Sequence, residues 1–470
     1  MITGKTLLDW GFSPGPWFKA GFAAANAAQD SGGGEAAIRA AVAALAPKLL
    51  PTVGLRRPGE LPFHLNIRPE GEDEIENVQG VERHMVELMR LPTVVAGAVM
   101  PDACVSSRQP GTIPVGSVIA TRDAIHPGMH SSDICCSMAV TVFGEANSTA
   151  VLDAGMALSH FGPGGRSPEK RVPLPPEILH AFESNALLKS CTIAATEHFG
   201  TQGDGNHFFY VGRLASSGEI ALVTHHGSRR PGALLYKAGM EIAEKHRAKL
   251  SPETASHNAW IPADTTEGEA YWDALQVLRA WTKASHFAIH DLIAASLGLP
   301  RKDRFWNEHN FVFRKSDGLY YHGKGATPAW ADYAADASGL TLIPLNMAEP
   351  ILIARGLDAK NGLGFAPHGA GRNMSRSAFL RKNAGKTELE ILREQTAGID
   401  ARFFSGIPDL SELPGAYKNA AAVRAQIAEF GLAEVVDTIN PIGSIMAGDW
   451  QQDAPWRKAK AAKKAAKAGK

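Results

Sequence analysis

The sequence predicts an α+β fold, on three observations. Apolar residues recur at helical spacing in some segments and as β-branched runs in others, and the two kinds alternate without the regular order of a doubly wound sheet. No internal repeat of roughly 20–50 residues is present, which excludes solenoids and propellers. With 470 residues, 44% hydrophobic and 20% charged, the chain has the composition of a globular protein with a large buried core, in two or three domains or one large one.

The elements follow in order. Residues 16–50 are Ala-rich and read as two helices, broken at Asp30-Ser31-Gly32-Gly33-Gly34, reopened by Glu35 and stopped by Pro51. Residues 1–70 are therefore expected to form a helical N-terminal appendage to a core spanning 71–450. Asn77–Leu91 reads as a helix with Val78, Val81, Met85 and Leu88/Met89 on one face. Thr93–Met100, Val115–Ala120 and Val140–Phe143 read as strands, as do Phe208–Val211 and Ile220–Thr224. Ser251–Gly298 reads as helical. Phe311–Phe313 and Leu319–His322 read as a hairpin around Ser316-Asp317-Gly318. Thr341–Pro344 and Ile351–Arg355 read as strands, and Ala420–Phe430 as a helix. Residues 451–470 form a basic, Ala/Lys-rich tail.

Charge is balanced, with 48 basic and 48 acidic residues, but unevenly placed. Arg457–Lys470 holds 7 basic residues and no acidic one, leaving an acidic body of 41 basic against 48 acidic residues. A basic tail on an acidic body points to a polyanionic partner or to a solvated end. No apolar run reaches the ~20 residues of a membrane span, so no membrane partner is expected. The first ten residues lack the pattern of a secretion signal, making a cytoplasmic location the default expectation. Four cysteines (Cys104, Cys135, Cys136, Cys191) are too few for a disulfide framework, which leaves metal or nucleophile roles open.

Several clusters carry chemistry. Asp133-Ile134-Cys135-Cys136 sets a carboxylate three residues before a thiol, a donor pair suited to Mn, Fe or Zn. Gly203-Asp204-Gly205-Asn206-His207 is a glycine loop ahead of a strand. His225-His226-Gly227-Ser228-Arg229-Arg230 puts imidazole, hydroxyl and guanidinium together at a strand end, and Glu308-His309-Asn310 opens another strand. His368-Gly369-Ala370-Gly371-Arg372, with Ser375 and Arg376 after it, is a loop suited to phosphate. One metal centre beside one phosphate site would account for all five segments.

In this order and spacing the motifs resemble those of the RtcB family of RNA ligases, from Met100-Pro101-Asp102 through Asp133-x-x-Cys136, Gly205-Asn206-His207-Phe208, His225-x-Gly-Ser-Arg229, His309-Asn310, Lys324-Gly-Ala-Thr327 and His368-Gly-Ala-Gly-Arg372 to Pro414-Gly-Ala-Tyr-Lys418. The resemblance implies an RtcB-like fold of stacked mixed β-sheets surrounded by helices. It implies ligation of RNA 3′-phosphate or 2′,3′-cyclic phosphate ends to 5′-hydroxyl ends, as in RNA repair or tRNA processing, with GTP as the activating nucleotide. It also implies two Mn²⁺ ions bridged by Cys136, with Asp133, His207, His225 and His309 as the other ligands, although such donors in isolation favour Zn²⁺. His368 would be the nucleophile that carries the nucleotide. Asn206, Asn310, Pro344, Asn346, Met347, Gly369, Ala370 and Gly371 would line the nucleotide site, and Ser228, Arg229, Lys324, Arg372 and Arg376 would hold phosphates or RNA.

The sequence departs from the family pattern where the base would be read. Tyr210 stands where a carboxylate is usual, Asn346 and Ile351 where serines are, and Ala447-Gly448 where Lys-Gly ends the family core. Cys104 replaces a histidine, and Asp291-Leu292 replace Asn-Arg. A nucleotide other than GTP is open on this reading, as is the alternative of a metal-dependent RNA-end phosphodiesterase or RNA-end binding protein that does not ligate.

Overall fold

The computed structural model describes residues 2–12, 17–45, 52–373 and 376–450, with backbone only for 376–378. Pro51, Ser375, the side chain of Arg376 and the basic tail lie outside the described residues. The chain divides into two compact units, Met1–Val53 and Gly54–Lys470.

In the first unit, helices Gly4–Asp9, Phe18–Asp30 and Glu35–Ala43 gather around Leu7, Ala25, Ile38 and Val42. Residues 54–70, grouped with the appendage in the sequence reading, fall in the second unit. There the Arg56 guanidinium donates to the carbonyls of Leu91 and Pro92, and His64–Leu65 pairs in parallel with the strand Val94–Cys104.

The second unit is built on two mixed sheets. The five-stranded sheet runs in the order His64–Leu65, Val94–Cys104, Val115–Thr121, Tyr320–Lys324, Asn310–Arg314. The eight-stranded sheet runs Leu340–Ile343, Ile351–Gly356, Ala433–Met446, Phe208–Leu214, Ile220–His226, Ser137–Gly144, Asp303–Glu308, with Asp400–Phe403 pairing in parallel with Ala433–Met446. Period-two alternation sorts the strand Ser137–Gly144. Met138, Val140 and Val142 join the cluster around Leu342 and Ile353, while Ala139 and Phe143 face the clusters shared with the long helix Thr266–Leu297.

The main core packs Tyr271, Leu275, Leu278 and Trp281 of that helix with Ala98, Val118, Phe311, Phe313 and Phe365. Each large apolar side chain buried this way contributes roughly 1.5–3 kcal/mol. The helix starts at Thr266, later than the expected Ser251. Pro252 and Pro262 interrupt the earlier stretch, and Ile261–Pro262 pairs instead with Ala124–Ile125. The expected helix at 77–91 spans Glu72–Leu88 and covers the outer face of the five-stranded sheet with Val78, Val81, Met85 and Leu88. Among the described residues no helix is long and apolar enough to cross a membrane.

Candidate metal centre and nucleophile

The order of four neighbouring strands explains why distant residues meet. Phe208–Leu214, Ile220–His226, Ser137–Gly144 and Asp303–Glu308 lie side by side and each pair is antiparallel. The start of the first, the end of the second, the start of the third and the end of the fourth therefore share one edge. His207, His225, Cys136 and His309 sit at those four ends. Backbone bonds fix the loops: the His309 N–H donates to the Cys136 carbonyl at 2.9 Å, and the Cys135 N–H to the Asn310 carbonyl at 2.7 Å.

Two groups of ligand atoms result, Cys136–His225–His309 and Asp133–Cys136–His207, and they share the Cys136 sulfur. His225 Nε2 lies 3.1 Å from Cys136 Sγ and 3.1 Å from His309 Nε2. His207 Nε2 lies 3.4 Å from the same sulfur and 3.0 Å from Asp133 Oδ2. The three histidines and Cys136 are buried. His225 Nδ1 donates to the Asn206 carbonyl at 3.1 Å, which leaves the Nε2 lone pair turned to the sulfur.

Electrostatics favours a cation here. Burial, then the neighbouring imidazoles, pushes the pKa of His225 and His309 well down, so both keep their lone pairs. Burial and the Asp133 carboxylate push the Cys136 thiol up. Burial opposes ionisation of Asp133, but His207 and Arg229 outweigh it and hold that carboxyl down at about 2. A thiol that ionises only with a compensating charge, two neutral imidazoles and a carboxylate form a donor set that fits divalent transition ions. Gly227 makes room for it, since a Cβ there would lie 2.1 Å from Asp133 Oδ1.

His368 stands beside this centre. It follows the short strand Phe365–Pro367, and its ring centroid is 4.8 Å from that of His309. Its Nδ1 lies 2.6 Å from Oδ2 of Asp102, which is fully buried. The sequence reading gave Asp102 no role, although it lies inside the quoted Met100-Pro101-Asp102 motif.

A cavity of about 210 Å³ opens from His368, and Asn206, Pro344, Asn346, Met347, Gly369, Ala370 and Gly371 all line it. Asn310 does not. Its amide bridges the Asp133 carbonyl and the Gly325 N–H, which makes it a bracket for the loops. Tyr210 presents its ring to the cavity while its hydroxyl donates to the Ile439 carbonyl at 2.8 Å. Glu412, unremarked in the sequence, lines the same cavity and binds the Arg372 guanidinium at 3.2 Å.

The expected phosphate holders separate. Arg372 lines the His368 cavity, and Arg229 lines a second cavity on the Asp133–His207 side. Ser228 lines neither. Its hydroxyl donates to the Ile134 carbonyl and is fully buried, so it is spent within the fold. Lys324 donates to Ser106 Oγ and the Ile113 carbonyl, at 2.9 and 3.1 Å, and lines neither cavity. Arg376 opens the helix Arg376–Lys382.

A family model described as tRNA-splicing ligase RtcB matches residues 177–447, more than half of the chain. The chain belongs to the RtcB family. Three of the centre's histidines and His368 lie within the matched RtcB segment, while Asp102, Asp133 and Cys136 precede it. The tRNA-splicing ligase RtcB of Aeropyrum pernix is 30% identical over 306 residues, covering 56% of this chain and 62% of that protein. The RNA-splicing ligase RtcB of Escherichia coli is 27% identical over 384 residues, covering 73% of this chain and 88% of that protein. The tRNA-splicing ligase RtcB of Archaeoglobus fulgidus is 27% identical over 284 residues, covering 52% of this chain and 58% of that protein.

Proposed function

We propose that this RtcB-family chain joins an RNA 3′-phosphate or 2′,3′-cyclic phosphate end to a 5′-hydroxyl end, using Mn²⁺ and a nucleotide carried transiently on His368. The observation that carries the reading is the pair of ligand groups sharing Cys136, with the Asp102-held His368 ring next to one of them. The names of the relatives supply the RNA side of the proposal.

Cys136, His225 and His309 would hold one ion, and Asp133, Cys136 and His207 the other. Bound there, divalent ions would neutralise phosphate charge and increase the acidity of an attacking hydroxyl. Asp102 accepts the Nδ1–H of His368, leaving the Nε2 lone pair as nucleophile. His368 attacks the α-phosphorus of a nucleoside triphosphate, the P–N bond forms, and pyrophosphate leaves. An oxygen of the RNA 3′-phosphate then takes the nucleotide from His368, forming an anhydride and returning the imidazole. The 5′-hydroxyl of the second strand attacks the RNA phosphorus, releasing nucleoside monophosphate and its own proton. A cyclic phosphate end is first opened by water to the 3′-phosphate. Arg372 and Arg229 supply guanidinium groups to phosphates on the two sides of the centre.

The family resemblance points to GTP, but the walls of the cavity are mostly apolar, with Phe208, Tyr210, Leu345, Met347, Ile351 and Met446 along them. Apolar walls discriminate weakly between bases, so GTP and ATP are expected to differ by less than about a hundredfold as donors. The test is incubation with Mn²⁺, each nucleotide, and RNAs bearing 3′-phosphate and 5′-hydroxyl ends. A joined product that fails to form when the acceptor carries a 5′-phosphate is expected. Absence of joining with every nucleotide would overturn the reading.

A further inference from the structure

We infer that Trp450 is a stacking platform for the terminal base of a single-stranded RNA whose 3′ end enters through the cavity on the Asp133–His207 side; the inference rests on the ligase reading above. That cavity, of about 580 Å³, is separate from the one lined by His368 and reaches the centre from another direction. Asp133, Asn206, His207, Arg229 and Arg230 line it, and Trp450 stands among them. A path to the ligand atoms that bypasses the nucleotide cavity is what a second substrate needs.

The placement of Trp450 follows from the backbone. The strand Ala433–Met446 ends against the turn 403–407, where the Phe404 and Ser405 N–H groups donate to the Met446 and Ala447 carbonyls. Gly448 then turns the chain at φ +76°, with no room for a Cβ, which would lie 2.3 Å from the Ile407 carbonyl oxygen. The Asp449 N–H donates to that same carbonyl at 2.9 Å. Trp450 is thereby delivered to the cavity, where its indole N–H donates to Asp204 Oδ2 at 3.1 Å. The bond pins the ring, yet Trp450 remains 41% exposed. A large aromatic ring held by its one polar atom and open to solvent presents a rigid face for stacking.

Beyond the single phosphate that Arg229 would meet, the lining by itself is no electrostatic funnel for RNA, so base contact has to supply affinity there. Arg229 and Arg230 face Asp133, Asp204, Asp409 and Asp449 around the same cavity, so the protein side carries no cationic excess. Base-on-aromatic contact does not depend on such an excess and tolerates any base. The chain continues from Trp450 into the Lys/Arg-rich residues 457–470, which would supply salt-sensitive attraction separately.

The experiment measures binding of a short fluorescent single-stranded RNA with a 3′-phosphate, without nucleotide triphosphate, against the same RNA with an abasic terminal nucleotide. Wild-type protein is expected to bind the intact RNA about tenfold more tightly than the abasic one. W450A should bind the two alike, W450F should restore most of the difference, and the salt dependence should be the same in wild type and W450A. The inference is overturned if the wild type does not distinguish the two RNAs, or if W450A weakens both equally or neither. Nucleotide labelling of His368 in the wild type needs no RNA and separates the two claims. Label without RNA discrimination discards the platform and keeps the ligase reading, whereas discrimination without label does the reverse.

Discussion

His368 Nδ1 and Asp102 Oδ2 are 2.6 Å apart, and the backbone N–H of His368 reaches the same oxygen at 3.2 Å. One buried carboxylate oxygen thus sets both the position and the tautomer of the imidazole. In D102A both donors lose their acceptor, so nothing holds the ring in place or keeps the proton on Nδ1 and the lone pair on Nε2. Nucleotide transfer to the protein should fall on the order of a hundredfold or more, with little change in the KM for nucleotide. An equal loss in KM with an unchanged rate of transfer would show that Asp102 acts on binding instead.

The shared sulfur makes a stoichiometric prediction. C136S should lose both metal equivalents, because both ligand groups contain that atom. H207A and H309A should each lose one. Metal analysis of the purified variants checks this, and a C136S protein that retains two equivalents would contradict the bridging arrangement.

Gly227 offers a test that leaves every ligand in the sequence. A Cβ at this position would lie 2.1 Å from Asp133 Oδ1, and the Asp133 side chain, about a third exposed, has room to swing away. G227A should fold, keep the ion of the Cys136–His225–His309 group and lose the other. Retention of both ions in folded G227A would show that Asp133 is dispensable.

Lys324 gives a pH signature. Burial lowers its pKa to about 8, against about 10.4 for a free lysine. Between these values the unfolded chain holds more protons than the folded one, so the contribution of Lys324 to stability rises with pH. Its cost is fully present below pH 8 and is relieved as the pH climbs toward 10.4. K324M, neutral throughout, should therefore gain most over wild type near pH 7, with the gap narrowing toward pH 10 in denaturant titrations. A gap that stays constant would place the charge in solvent.

How far the site was legible depended on chain distance. Asp133, Cys136, His207, His225 and His309 could be named from the sequence because each lies in a short motif, in a loop or at a strand end, whose order and spacing resemble the RtcB pattern. The pairing of Asp102 with His368 spans 266 residues, and only the fold brings the two together. Ser228, Asn310 and Lys324 carry the same chemical types as the residues lining the two cavities, but their polar atoms are taken up by Ile134, by Asp133 and Gly325, and by Ser106 and Ile113. Residue type cannot reveal such local satisfaction. The strand Ala433–Met446 was invisible as well, because Pro441 and Gly443 break its alternation at a bulge that only pairing with Phe208–Leu214 reveals.

A His368 that carries a nucleotide beside a Cys136-bridged pair of ions would be trapped as a covalent adduct. The most direct measurement is incubation of the protein with Mn²⁺ and α-³²P-labelled GTP or ATP, followed by electrophoresis and mapping of the label. An acid-labile, alkali-stable nucleotide adduct on His368 is expected, absent from H368A and after chelation. Failure of both nucleotides to label the wild-type protein, or a label that survives in H368A, would contradict it.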